Sequence, residues 1–308
     1  MRPVKPAVLF SLFMALLSVG CAAQAPTADP AVFDYDRDVP LDVVVNARTE
    51  HADHTELDLS YRSPAGGRVP ALLFLPADGR GPWPAVIVQH GMPGSRRNAA
   101  SFAAEYARMG AVALAITAPW ARPDDEPRRN ILTMTRQDAD DQIQLIQDLR
   151  RAIDLLQARP DVNPDRIAYS GGSYGGAMGG LLAGVEDRIV AYALWVGDGG
   201  LVAHVTGPDD ARGPFHRMSE TQRTAWLRAM EPIEPLRWVG RAAPAELLFQ
   251  NGRFDEFVPV ADAEAYQAAG SEPKTILWYD EGHGLNEEAR QDRRRWIMER
   301  LAIEGPIE

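Results

Sequence analysis

The stretch IAYSGGSYGGAMGG (167–180) packs six glycines around Ser173, directly after a short apolar run. Glycine in an ordered segment costs conformational entropy and gives no side-chain contact, so a dense cluster belongs where a Cβ would collide with a neighbour. The preceding RIAYSGG has the length and apolar character of a buried strand, and the segment after Ser173 reads as a helix. Gly171 and Gly175, two residues before and two after Ser173, fit a strand-to-helix bend so sharp that only glycine is tolerated there. Such a bend needs a sheet behind it and a helix ahead of it.

The remaining sequence supplies both. ELDLSYRS (56–63) and VPALLFLPA (69–77) flank the turn PAGG and predict a hairpin. PAVIVQHG (84–91), AVALAITAP (111–119), IVAYALWV (189–196), AELLFQNG (245–252) and TILWYDEG (275–282) are apolar runs of strand length. Helical patterns at 98–110, 137–159, 260–269 and 286–301 separate them. In the second, Ile143, Ile146, Leu149, Ile153 and Leu156 recur at spacings of three and four. Strands that are apolar throughout and alternate with helices predict an α/β fold, with a mostly parallel central sheet covered on both faces. The stretch from Asp198 to Ala243 breaks the rhythm. It holds one helical segment, SETQRTAWLRAM (219–230), among loops, and reads as a cap insertion of about 198–243 before the penultimate strand.

The N-terminus follows a different logic. Arg2 and Lys5 precede AVLFSLFMALL (7–17), which is too short to span a bilayer and has the shape of a signal-peptide core, so residues 1–20 are set aside from the fold. Cys21, the only cysteine, closes LLSVGC, a stretch similar to a bacterial lipobox with Ser18 where leucine is usual. Acylation there would hold an otherwise soluble body on a membrane through that lipid anchor alone. Cleavage a few residues later, near Ala23 or Ala25, would give a plainly secreted or periplasmic protein. Residues 22–40, rich in Ala, Pro and Asp, read as a tether to the body from residue 41 onward.

With no cysteine beyond Cys21, neither a disulfide nor a thiol nucleophile is available to the folded body. A formal charge of −11 argues against a nucleic-acid partner and against attraction to anionic lipid. The sequence does not reveal the oligomeric state.

Gly171-Gly172-Ser173-Tyr174-Gly175 fits G-x-S-x-G in the strand-turn-helix setting that this motif requires. A serine hydroxyl becomes a nucleophile only when a base takes its proton. His283 lies in EGHG after the last strand, whereas His204 and His216 fall in the insertion, so His283 is the expected base. Asp255, in NGRFDEFVP after the penultimate strand, is the expected acid, giving the order Ser, Asp, His. Asp198, in WVGDGG, is an alternative, and Glu256 and Asp280 lie close in sequence. A buried carboxylate fixes the imidazole tautomer and stabilises the imidazolium. Charge developing on a substrate oxygen needs preorganised amides. The N–H of Tyr174 is one expected donor and that of Met92, in His90-Gly91-Met92-Pro93-Gly94, the other, since Pro93 has none. His90 itself is expected to hold that loop through hydrogen bonds.

HGMPG, DVNPDRIAYSGGSYGG, NGRFDEFVP and EGHG, in this order, resemble the α/β-hydrolase superfamily over about residues 55–301. The likeness is greatest to its dienelactone-hydrolase-like and prolyl-oligopeptidase-like branches, which include acetyl xylan esterases. Dienelactone hydrolases proper use cysteine, so Ser173 moves the expectation from lactones towards ordinary carboxylic esters. The chain has no propeller-length N-terminal extension of the kind that selects peptides in prolyl oligopeptidases. The resemblance implies a serine esterase acting on a small-molecule ester, with no metal and no organic cofactor, and the N-terminal signal core and Cys21 place the expected enzyme in the cell envelope. An amidase or exopeptidase with the same triad is the nearest alternative. A non-catalytic, ligand-binding surface lipoprotein on a hydrolase scaffold is the alternative of another class.

Trp120, Trp195, Phe215, Trp226 and Trp238 could wall a pocket, but each is more simply read as core. Arg96, Arg97 and the loop 121–130 bring charge near the expected mouth, where a solvated rim is the simpler reading and selection of an acidic substrate the sharper one.

Overall fold

The computed structural model describes residues 29–77, 81–122, 132–207 and 213–304. Nine strands form one sheet: β1 (Val44–Glu50), β2 (His54–Arg62), β3 (Arg68–Pro76), β4 (Trp83–Gln89), β5 (Val112–Ile116), β6 (Val162–Gly172), β7 (Ala191–Trp195), β8 (Glu246–Gly252) and β9 (Lys274–Tyr279). They lie in the order β1-β2-β3-β5-β4-β6-β7-β8-β9. The pairings β1/β2, β2/β3 and β3/β5 are antiparallel, and every pairing from β5 through β9 is parallel. This is the mostly parallel sheet that the uninterrupted apolar strands predict.

Side-chain alternation along each strand divides the core into two layers. On β5, Val112, Leu114 and Ile116 face the layer packed by Leu145, Ile146, Leu149, Ile153 and Leu156 of α2 (Arg136–Gln157) and by α3 (Tyr174–Ala183). Ala113 and Ala115 face the opposite layer, against α1 (Arg96–Arg108) and α8 (Glu287–Arg300). That second face is lined by small residues, including Ala168, Ala191 and Ala193, so its helices are packed by Tyr106, Trp296 and Ile297 instead. Truncating one of the large first-layer residues, such as Leu149, would cost about 2–5 kcal/mol.

Two segments depart from the sequence reading. β1 has no counterpart in it, because every residue of this edge strand is exposed and no apolar alternation marks it. The expected tether at 22–40 is docked on the body over its described part, residues 29–40. Phe33 is fully buried, edge-on to Trp238 at 5.4 Å. The Tyr35 hydroxyl donates to Asp154 at 2.8 Å, and Arg150 and Arg151 of α2 donate to the carbonyls of Phe33, Arg37 and Val39. Residues 29–40 are therefore a strap docked by one aromatic anchor and two arginines, a pattern without period and so without a local signal. Residues 1–20 and Cys21 lie outside the described residues. Among the described residues no helix is long and apolar enough to cross a membrane.

The insertion carries more helix than expected: α4 (Leu201–Thr206), α5 (Pro214–Arg217) and α6 (Glu220–Met230), followed by short 3-10 turns. Ser219 starts α6 with a capping box closed by Gln222. α7 (Val260–Ala269) follows β8. The insertion is bound to the body through its aromatics: Trp226 donates its indole N–H to Asp138 of α2 at 2.8 Å and packs on Phe215. Trp120, Phe215, Trp226 and Trp238 are all buried, in keeping with the core reading.

Candidate active site

Ser173 stands at the end of β6 with φ 55° and ψ −123°, a conformation that costs a non-glycine residue of order 1–3 kcal/mol. The surrounding backbone enforces it. A Cβ on Gly171 would lie 2.3 Å from the Gly175 carbonyl oxygen, and one on Gly175 would lie 2.5 Å from that of Gln89 on β4. The Ser173 N–H donates to Trp195 O at 2.9 Å, so strand β7 also holds the bend. Among the described residues the Ser173 hydroxyl has no hydrogen-bond partner, and it borders a cavity of about 260 Å³.

His283 lies on the loop between β9 and α8 and borders the same cavity. Its Nδ1 meets both carboxylate oxygens of Asp255, at 2.9 and 2.8 Å. The Asp255 carboxylate is 1% exposed and also accepts the N–H groups of Phe257 and Val258, at 2.9 and 3.0 Å. A carboxylate with two backbone donors is a fixed acceptor, so it assigns the proton to Nδ1 and leaves Nε2 as the basic nitrogen. Phe257 packs edge-on against the imidazole at 5.0 Å. The described structure has no hydrogen bond between Ser173 and His283. Such bonds are often long in unliganded sites and tighten around substrate.

The alternative acids serve elsewhere. Asp198 faces His204 rather than His283, Glu256 accepts the backbone N–H of His283 at 3.4 Å, and Asp280 pairs with Arg253 at 3.2 Å. His216 packs against Phe215 and does not border the cavity.

Met92 and Tyr174 both border the cavity beside Ser173. Neither donates its N–H to another described residue. For Tyr174 this follows from its place as the first residue of α3, where a helix leaves its N–H groups unpaired. His90 holds the Met92 loop: it accepts the Ala118 N–H on Nε2 at 3.1 Å, and its Nδ1 lies 2.8 Å from Gly91 O. A methyl group on Gly91 would come within 3.0 Å of the Ser173 Cβ, which shows how closely this loop approaches the serine.

The other walls are mostly apolar: Leu132, Ala177, Met178, Val196, Leu201 and Val258. Among the described residues no Lys or Arg borders the cavity. Arg96 is buried against Asp58 at 3.1 Å, and Arg97 reaches the same carboxylate at 3.6 Å, so neither forms a free cationic rim. The rest of the charged loop, residues 123–131, lies outside the described residues. Sequence reasoning weighed Asp198 and His204 separately but missed them as a pair. Their ring and carboxylate stand 3.6 Å apart on the cap side of the cavity, a juxtaposition that only the folded insertion creates.

Comparison of the sequence with family models matches residues 69–297 to the dienelactone hydrolase family. The chain belongs to the dienelactone hydrolase family. This family member shares its fold with an acetyl xylan esterase from Paenibacillus sp. R4, at 22% identity and a TM-score of 0.71, over 84% of this chain and 89% of that one. Acetyl xylan esterase 1 from Thermoanaerobacterium sp. JW/SL YS485 aligns at 16% identity and 0.71, over 90% and 95%. A cold-adapted esterase from an Arctic intertidal metagenomic library aligns at 18% and 0.62, over 83% and 98%. No curated protein sequence matches the chain. The dienelactone hydrolase family member is an α/β-hydrolase and a carboxylic ester hydrolase.

Proposed function

We propose that the protein cleaves short-chain carboxylic esters through an acyl-enzyme, with Ser173 as nucleophile, His283 as base and Asp255 as its orienting acid. The observation that carries this reading is the buried Asp255 carboxylate clasping Nδ1 of His283 through both oxygens, with His283 bordering the cavity that the strained Ser173 also borders.

Ser173 Oγ bonds to the ester carbonyl carbon as its proton passes to His283 Nε2. The N–H groups of Met92 and Tyr174 receive the oxyanion, a contribution worth about 10²- to 10³-fold per donor. Collapse breaks the bond to the alcohol oxygen, which leaves with the proton from His283. Water then repeats the sequence, releasing the acid and restoring Ser173. A cavity of about 260 Å³ with apolar walls suits an acetyl to butyryl group, being below the roughly 300–1,000 Å³ of sites for drug-sized ligands. The acetyl esterase names among the solved structures point the same way.

A fluorophosphonate probe tests the chemistry: the wild type is labelled and Ser173→Ala is not. An unlabelled wild type would leave a binding protein on a hydrolase scaffold. A panel of acyl esters against aminoacyl anilides tests the bond, and faster anilide turnover would replace the esterase reading with the amidase one. We place the protein in the cell envelope, held by a lipid on Cys21. Incorporation of a palmitate analogue that survives Cys21→Ser would overturn that assignment.

A further inference from the structure

On the far edge of the sheet, a tight turn joins β1 to β2 and gathers two imidazoles and a carboxylate. The His51 N–H donates to His54 O at 2.9 Å and closes the turn. His54 and Glu56, two apart on β2, share a face, and His51 stacks on His54 with ring centroids 4.3 Å apart. One ligand atom from each of His51, His54 and Glu56 lies within 4.8 Å of the other two. Nothing in the proposed ester chemistry uses these residues.

We infer that His51, His54 and Glu56 form a Zn²⁺ site that ties the β1–β2 hairpin together. Two histidines and one glutamate are a zinc donor set, with a fourth position left for water. Asp53 Oδ1 stands 2.6 Å from His54 Nδ1, the carboxylate–histidine contact that orients a ligating imidazole and leaves Nε2 for the metal. His54 is the fixed ligand: its side chain is 9% exposed and packs on Phe74. Bonds of 2.0–2.1 Å in tetrahedral geometry put donor atoms about 3.4 Å apart. The cluster must therefore close by roughly an ångström or more from its 4.8 Å span. His51 and Glu56 can make that movement, since their side chains are 41% and 30% exposed and reach each other at 3.9 Å. The site addresses a structural need, because β1 is exposed along its whole length and, among the described strands, pairs with β2 alone. A metal between the turn and β2 would hold that edge strand in register.

Calorimetric titration of the untagged, chelator-treated full chain with ZnCl₂ tests the site. One equivalent is expected to bind saturably. His51→Ala and Glu56→Gln should each weaken binding at least tenfold, and Asp53→Asn by about 10- to 100-fold. His204→Ala and His283→Ala should bind as the wild type does, which separates this cluster from the histidines of the cavity. Amide exchange over residues 44–56 should slow on adding Zn²⁺ in the wild type but not in His51→Ala. His51 is exposed, and the melting temperature of the metal-free variant verifies its fold; Glu56→Gln is a second, independent probe. Absence of saturable binding, affinity unchanged in both variants, or affinity lost in His204→Ala or His283→Ala would overturn the inference.

Discussion

Asp255 and His283 meet at 2.8 Å on loops anchored by β8 and β9, whereas Asp198 and His204 stand 3.6 Å apart where the cap begins. His283, Asp198 and His204 border one cavity, and Asp255 lies buried behind His283. The first carboxylate is held by two backbone N–H groups and its histidine is 23% exposed. The second accepts one N–H, from Gly200, and its histidine is 45% exposed. A sheet fixes its loops through many shared strand bonds, whereas His204 lies on a six-residue helix of the insertion, outside the sheet. The difference assigns them different work. The rigid pair suits proton transfer, which tolerates little misplacement, and the looser pair suits recognition of groups remote from the reacting carbon.

The largest expected effect comes from removing the nucleophile or the rigid histidine. Ser173→Ala or His283→Ala should lower kcat by roughly 10⁵- to 10⁶-fold, with an unchanged circular dichroism spectrum. Asp255→Asn should cost about 10⁴-fold by releasing the imidazole tautomer. Asp198→Asn, the matching change in the cap pair, should stay within about tenfold. Hydrolysis of p-nitrophenyl acetate measures all four, and the contrast between the two pairs fails if Asp198→Asn approaches the loss in Asp255→Asn.

How much of this could be read before folding follows the same division. Ser173 and His283 were legible because glycine neighbours and the adjoining strands mark them locally, and Asp255 because it follows a strand in the expected order. The inner strands, the antiparallel hairpin and the two-sided helical cover were legible because burial on both faces makes each inner strand apolar throughout. The cap pair was not. Asp198 and His204 are close in sequence, but their meeting at the cavity depends on Trp226 and Phe215 seating the insertion on α2. β1 and the strap at 29–40 were illegible for a related reason: one is wholly exposed, and the other is held by Phe33 and by arginines more than a hundred residues away.

A smaller effect sharpens the contrast further. His204→Ala removes one hydrogen-bonding group from a mostly apolar wall, and such a bond is worth about 0.5–1.5 kcal/mol. With no Lys or Arg bordering the cavity among the described residues, a neutral hydroxyl is the group that His204 is suited to meet. KM for esters bearing a hydroxyl near the carbonyl should rise about two- to tenfold, with kcat and the constants for plain alkyl esters unchanged. A fall in kcat for every ester would instead make His204 part of the proton-transfer machinery.

The smallest effect concerns stability and comes from a buried carboxyl in the cap. Glu234 is 6% exposed beside Gly200, and its Oε1 has no hydrogen-bond partner among the described residues. Burial pushes its carboxyl well above the usual range, and the charge of Asp198 adds to the rise. The folded protein therefore keeps a proton that the unfolded chain has released above about pH 4.5. Stability from this group is whole below that pH and declines as pH rises towards the folded value. Glu234→Gln keeps the shape and the acceptor for the Val202 N–H while removing the titration. Its melting temperature should equal that of the wild type near pH 4 and exceed it by a few degrees at pH 7–8, since about 1 kcal/mol moves a domain of this size by roughly 2–4 °C. A difference that stays constant across pH would mean that Glu234 is ionised in the folded cap.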